Sequence, residues 1–400
     1  MHTKKWRLFW LGDGIQVSRP VVWVIGFFAF LNVYSMQSVL PMVMHDFTAT
    51  PVQAGMTVGA TVLAIALVSP FMGMLSDAVG RRVIICSSMF AMTVPTALIP
   101  LADHLYCLIA LRFLQGLAVP GIVVVLIAYL SEEFHGGGVA KMTTIYVGGT
   151  VMGGFFGRFM TGHAGHLLGW RGAYVSLAVL NLLGAILVFW LLPASQKFTS
   201  HRNMAKALQT LRQHLENRRL MAVCAMGFCV LFSLVGTFTY VNLYLTEAPF
   251  NLSASGLANI FSVYLLGVVV TPMAGRFIVR YGFLRSVLSA LSLSAAGLLL
   301  TLLPSLVVVV FGLAVCSSGV FICQSATISH IAANVKEGRS LATGIYYFSY
   351  YAGGAAGSWV AGLAYEGWSW QGSVVSIILF QILAVTIALR HLQPLPVGRG

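Results

Sequence analysis

Twelve times along this chain, apolar residues run for about 18 positions or more, with only short polar joins between the runs. They lie near 21–44, 53–74, 83–100, 105–129, 141–161, 173–192, 220–245, 255–276, 284–303, 306–328, 341–362 and 371–389. A backbone entering hydrocarbon must satisfy its own N–H and C=O groups, so each run is predicted to be a transmembrane α-helix. Composition agrees. Of the 400 residues 58% are hydrophobic and 8% are charged, against roughly 25% charged in a soluble domain. The expected fold is therefore all-α and integral to the membrane.

A repeat divides the twelve spans into two sixes. Gly153, Gly154, Gly157 and Gly162 return as Gly353, Gly354, Gly357 and Gly362. Ser69-Pro70 and Gly73 return as Thr271-Pro272 and Gly275, Gly80 as Gly282, and Gly169-Trp170 as Gly367-Trp368. Every offset lies between 198 and 202 residues. That period is too long for a solenoid unit and suits a transporter with two pseudo-symmetric six-helix lobes. Six is even, so both lobes enter the membrane from the same side. The implied organisation is a cytoplasmic N-terminal segment (1–20), a first lobe (21–192), a cytoplasmic linker (193–219), a second lobe (220–389) and a cytoplasmic tail (390–400).

Charge sets the orientation. With the N-terminus inside, Arg112 and Arg158 fall within spans and Arg171 in an outer loop, and the other 20 of the 23 basic residues collect on the inner side. Lys4, Lys5 and Arg7 precede span 1 without a small-residue cleavage pattern, so no cleaved signal is expected. The net charge of +13 reports topology and contact with anionic lipid. A nucleic-acid partner would need a basic soluble face, and none is present. The six cysteines sit in apolar stretches without CxxC spacing and read as small core residues. In the linker, Leu208, Leu211 and Leu215 share a helical face. It serves either as a tether between lobes or as an amphipathic helix on the inner leaflet.

Gly73-Met-Leu75-Ser76-Asp77-Ala-Val-Gly80-Arg81-Arg82 joins spans 2 and 3 on the inner side. Gly73 permits close helix approach, Asp77 can cap a helix or pair with a base, and Gly80 permits a sharp turn. Arg81 and Arg82 hold that turn at the anionic leaflet. The segment resembles the signature of the major facilitator superfamily. Arg112-Phe-Leu-Gln115-Gly116 in span 4 is similar to a motif of that superfamily's drug/proton antiporter branch. The stretch Gly149 to Arg158 in span 5 resembles that branch's antiporter motif in part, with Gly154 in place of a proline and Arg158 in place of a glycine. As a whole the chain resembles YnfM-type bacterial inner-membrane transporters.

That resemblance implies alternating access, with two lobes rocking about a central site under an ion gradient, commonly of protons. It implies a bacterial inner (plasma) membrane protein with both termini cytoplasmic, and a monomer is expected. Gly73, Asp77, Gly80, Arg81 and Arg82 would latch the inner side. Gly153 and Gly157 in span 5, with Gly353 and Gly357 in span 11, would allow tight packing across the lobe interface.

The cargo must be read from polar groups inside the spans. A charge at the bilayer centre costs about 2.5–3.5 kcal/mol on insertion scales. Arg112 and Arg158 therefore serve either a binding or coupling role or anchor helix carbonyls, and Arg158 can also snorkel outward. None of the ten acidic residues falls near the middle of a span. Span 1 offers Asn32, Tyr34 and Gln37 where multidrug antiporters often place a carboxylate. A lipophilic cation is thus disfavoured and a neutral or anionic small molecule favoured. A coupled proton would ride on Asp46, Asp77, Glu132, Glu133 or the substrate itself. Gln115, Tyr240, Asn242, Gln324, Tyr346 and Tyr350 complete the candidate binding set, as cavity contacts or as helix-to-helix bonds.

His163 and His166 lack a third ligand, so no metal is expected, and no cofactor. Neither a phosphate-binding loop nor a convergent catalytic cluster is present, which argues against an ATP-driven pump or an enzyme. The function expected is proton-coupled efflux of a small amphipathic or anionic compound. The alternative is uptake or facilitated transport of a neutral solute such as a sugar.

Overall fold

The computed structural model describes residues 17–134, 137–193, 204–335 and 339–392. The first 16 residues, positions 194–203 of the linker and the tail from 393 lie outside the described residues. Among the described residues the regular elements are all helical.

Among the described residues eight helices are long and apolar enough to cross a bilayer. Two of them, Lys141–Leu191 and Leu341–His391, have 51 residues each. At 1.5 Å per residue that is about 77 Å, enough to cross a roughly 30 Å core twice. Each is interrupted where two spans meet, at Gly169 (φ 71°) and at Trp368–Ser369 (Ser369 φ 52°). Span 1 is a bent pair, Arg19–Leu31 and Ser35–Asp46, at 44°. Span 8 runs from Ala254–Ile260 through a 3₁₀ segment, Phe261–Leu265, into Leu266–Tyr281. All twelve expected spans are thereby accounted for.

Past the break in span 1, residues Ser35–Val39 tighten into a 3₁₀ helix, and Pro41 sits in the first turn of the helix Leu40–Asp46 that follows, where a missing N–H costs nothing. The carbonyls of Asn32 and Val33 are taken by side chains from other elements.

Three expectations need correction. The expected match of Gly169-Trp170 to Gly367-Trp368 is off by two residues. Gly169 and Ser369 share the left-handed backbone. Trp170 and Trp370 are buried and donate their indole N–H to Asp46 and Thr301, whereas Trp368 is 74% exposed. Secondly, the close approach at Gly153 and Gly157 is made within the first half. A Cβ there would overlap the carbonyls of Phe27 and Leu31 in span 1, and one on Gly353 or Gly357 those of Phe228 and Phe232 in span 7. These glycines fuse spans 1 and 5, and 7 and 11, inside each half. Thirdly, Gly73 supports no close approach in this conformation, because nothing lies within 4 Å of where its Cβ would be.

The turns after spans 2 and 8 repeat faithfully. Gly80 (φ 109°) joins spans 2 and 3, and Gly282 (φ 81°) joins spans 8 and 9, both in a region closed to most side chains.

The chain forms two compact units with one exchange. Leu252–Phe261, the first part of span 8, belongs with the first half, and Thr50–Gly59, the first part of span 2, with the second. In the first unit Gly162 makes room for Ala254 and Ala258. In the second, Gly55 and Gly59 make room for Tyr240 and Ser358, and Glu366 accepts the Val52 N–H at 3.1 Å.

Candidate functional site

Arg112 stands eight residues into the helix Leu105–Glu133 and is fully buried. Its guanidinium donates to the Asn32 carbonyl at 3.0 Å, to the Val33 carbonyl at 2.8 Å and to the Gln115 amide oxygen. The two carbonyls belong to the break in span 1, at the C-terminal end of a helix, where partial negative charge gathers. Arg112 thus holds the broken helix of span 1 against span 4. Thr61 reinforces the site from span 2 by donating to the Arg112 carbonyl at 3.0 Å.

Neutral amides extend this centre. Asn32 and Asn181 exchange two hydrogen bonds of 2.8 Å. Gln115 donates to the Asn32 oxygen at 3.2 Å and to Thr96 at 2.7 Å. Four spans (1, 3, 4 and 6) are tied at one depth. Asn32, Arg112 and Gln115 were legible candidates, whereas Thr96 and Asn181 escaped notice. A signal existed for Asn181, a lone amide in an otherwise apolar run with Gln381 at an offset of 200 residues.

Arg158 forms a second buried centre, 2% exposed. It donates to Gln37 at 2.8 Å and to the Gly154 carbonyl at 2.6 Å. The cation lies 4.7 Å from the ring centre of Tyr34 and 4.9 Å from that of Phe261. Aromatic faces stabilise a cation by up to about 2 kcal/mol when it is desolvated. Ser38, fully buried nearby in span 1, leaves its hydroxyl without a partner. Phe261 was not a candidate, since its place beside Arg158 comes from a contact between distant segments.

The remaining candidates lie in the second half and do not form one cluster. Tyr346 is buried, shares a 2.8 Å hydrogen bond with Thr327 and stacks on Tyr350 with 5.7 Å between ring centres. Tyr240 donates to the Ser358 carbonyl. Asn242 spends its amide on its own helix, donating to the Phe238 carbonyl at 2.5 Å. Gln324 is half-buried on span 10, one turn before Thr327.

At the junction of spans 2 and 3, Arg81 pairs with Asp77 and with Glu132 at 2.6 Å, and also donates to Ser76. Arg82 caps the end of span 6, donating to the carbonyls of Leu192 at 2.6 Å and Phe189 at 2.8 Å. Gly80, Asp77, Arg81 and Arg82 therefore lock four elements of one half together.

Twelve apolar helices in two repeated halves, an acid–arginine turn between spans 2 and 3, and polar centres buried within the first half define a polytopic membrane transporter. The chain belongs to the major facilitator superfamily, whose model matches residues 22–335 and 248–399. It is 30% identical over 366 residues to an uncharacterised transporter of Buchnera aphidicola subsp. Schizaphis graminum, covering 91% of this chain and 89% of the relative. It is 29% identical over 366 residues to the inner membrane transport protein YnfM of Escherichia coli, covering 91% and 88%. The solved structure of a bacterial homologue of the human lysosomal transporter Spinster superposes with a TM-score of 0.75 at 15% identity, covering 92% of this chain and 95% of that one.

Proposed function

We propose that this chain is a secondary active transporter of a bacterial inner membrane, working as a monomer by alternating access and exporting a small amphipathic or anionic compound against protons. The observation that carries the reading is Arg158. A cation held dry between Tyr34 and Phe261 and steadied by Gln37 offers an anion a preorganised electrostatic partner. The exchanged first parts of spans 2 and 8 support the rocking reading, because small residues (Gly55, Gly59, Gly162) at such contacts allow backbones to meet and part. The inner latch of Asp77, Arg81 and Glu132, and the open space over Gly73, would change partners as the lobes move.

Arg112 is assigned a positioning role, since its guanidinium serves the carbonyls of span 1. A second reading, facilitated passage of a neutral solute such as a sugar, draws on the stacked Tyr346 and Tyr350, which give a flat aromatic face without charge.

The test is flux in proteoliposomes under an imposed pH gradient. Proton-coupled export predicts that transport stops when the gradient is collapsed. Unchanged flux after collapse would leave a uniporter, and with it the neutral-solute reading.

A further inference from the structure

The turn between spans 8 and 9 copies the turn between spans 2 and 3 in its glycine and not in its charges. In the first half the junction arginines have protein acceptors: Arg81 has Asp77, Ser76 and Glu132, and Arg82 has two carbonyls. In the second half Val279 stands where Asp77 does, and the segment 330–334, which corresponds to Glu132, carries no acid. Yet this junction holds three arginines, Arg276, Arg280 and Arg285, all exposed. Among the described residues none of the three has a carboxylate or carbonyl acceptor, and Arg280 rests on the ring of Tyr281 at 5.3 Å.

The surface beneath them is apolar. Met273, Phe277 and Tyr281 recur every four residues, so they share one face of the helix Leu266–Tyr281, and they are 60%, 37% and 42% exposed. Arg276 and Arg280 are also one turn apart and lie immediately beside that face. An apolar stripe running up to an aromatic ring and ending in unneutralised guanidinium groups matches one kind of molecule: acyl chains below and phosphate above.

We propose that the inner end of spans 8 and 9 is a binding site for an anionic phospholipid, with Arg276, Arg280 and Arg285 donating to the phosphate and Met273 and Phe277 lying along an acyl chain. Arginine forks grip phosphate oxygens in pairs, and basic sites on the cytoplasmic side of membrane helices hold anionic headgroups. A zwitterionic headgroup would bring an ammonium against three cations, so the site selects net negative charge. The first half needs no such lipid, because its own acids fill the role.

The test uses the full chain in a neutral detergent, with thermal unfolding and native mass spectrometry of retained lipid. Phosphatidylglycerol is expected to raise the unfolding temperature and to stay bound, while phosphatidylcholine and inorganic phosphate do neither. Replacing each arginine in turn (R276Q, R280Q, R285Q) is expected to weaken phosphatidylglycerol binding about fivefold, the equivalent of about 1 kcal/mol per basic residue. R390Q, at the exposed end of span 12, serves as control and leaves binding unchanged. Equal effects of phosphatidylcholine or of inorganic phosphate, or full lipid retention by all three single variants, would overturn the proposal. Each variant changes one exposed side chain, so folding is retained and the lipid readout stands alone.

Discussion

In the first half of the chain Asn181, Thr96 and Gln115 converge on Asn32 and Arg112. Some 200 residues later, Gln381 donates to Ser294 at 3.0 Å, and Ser294 meets Cys316 at 3.3 Å. These sets occupy matched positions on spans 6 and 12, 3 and 9, and 4 and 10. The first holds a guanidinium that spans a helix break, and the second a thiol between neutral partners. Arg158 likewise has Ser358 as its counterpart. The glycine seams, by contrast, agree in detail, with Gly153 and Gly157 on span 1 and Gly353 and Gly357 on span 7. The two halves keep the same geometry of backbone contact while their buried polar groups differ, so they share a scaffold but not a set of buried charges.

That contrast can be broken by mutation. The largest asymmetry is expected at the two cores. Arg112→Ala strips three hydrogen bonds from a charged donor and leaves span 1 carbonyls buried without partners, costing about 3 kcal/mol or more. Cys316→Ala is expected to cost about 1 kcal/mol. Thermal or denaturant unfolding in detergent compares the two, and equal losses would dissolve the distinction. The seams should behave the other way. Gly153→Ala and Gly353→Ala each force a methyl into a facing carbonyl, and each is expected to cost about 2 kcal/mol. A large difference between them would mean the packing is not truly shared.

Smaller effects probe the turn between spans 2 and 3. Asp77→Asn removes one partner of Arg81 at a site about one-third exposed, so stability should fall by about 1 kcal/mol at most. Its effect is expected in transport rate, read in proteoliposomes, since the latch would no longer hold. Gly73→Ala enters open space and should change stability by less than about 0.5 kcal/mol. If the rocking motion brings a helix against Gly73, the same variant slows transport. Unaltered flux would confine that glycine to the turn.

Much of the fold was legible because hydrocarbon imposes a simple rule on the backbone. Run length located the spans, and the glycine offset located the halves. What escaped notice depends on chain segments meeting in space. The break at 32–34 and the 3₁₀ segment Phe261–Leu265 leave the apolar runs uninterrupted, so hydropathy passes straight through them. The true register at the span 11–12 turn is set by burial of Trp370, and a matching Gly-Trp pair two residues earlier drew the wrong equivalence. Of the candidate site, the two intramembrane arginines were plain from charge alone. Among their partners Asn32, Tyr34, Gln37 and Gln115 were named as polar groups of the spans, but the Val33 carbonyl at a helix break and the Phe261 ring from span 8 carry no signature in the sequence.

The central claim is that the first half carries the recognition chemistry through Arg158. Thermal stabilisation by a panel of anionic, neutral and cationic metabolites tests it most directly, on the natural chain, on Arg158→Gln and on Ser358→Ala. Anions are expected to stabilise the natural chain and the Ser358→Ala variant but not Arg158→Gln. Stabilisation by cations alone, persisting in Arg158→Gln, would contradict the account.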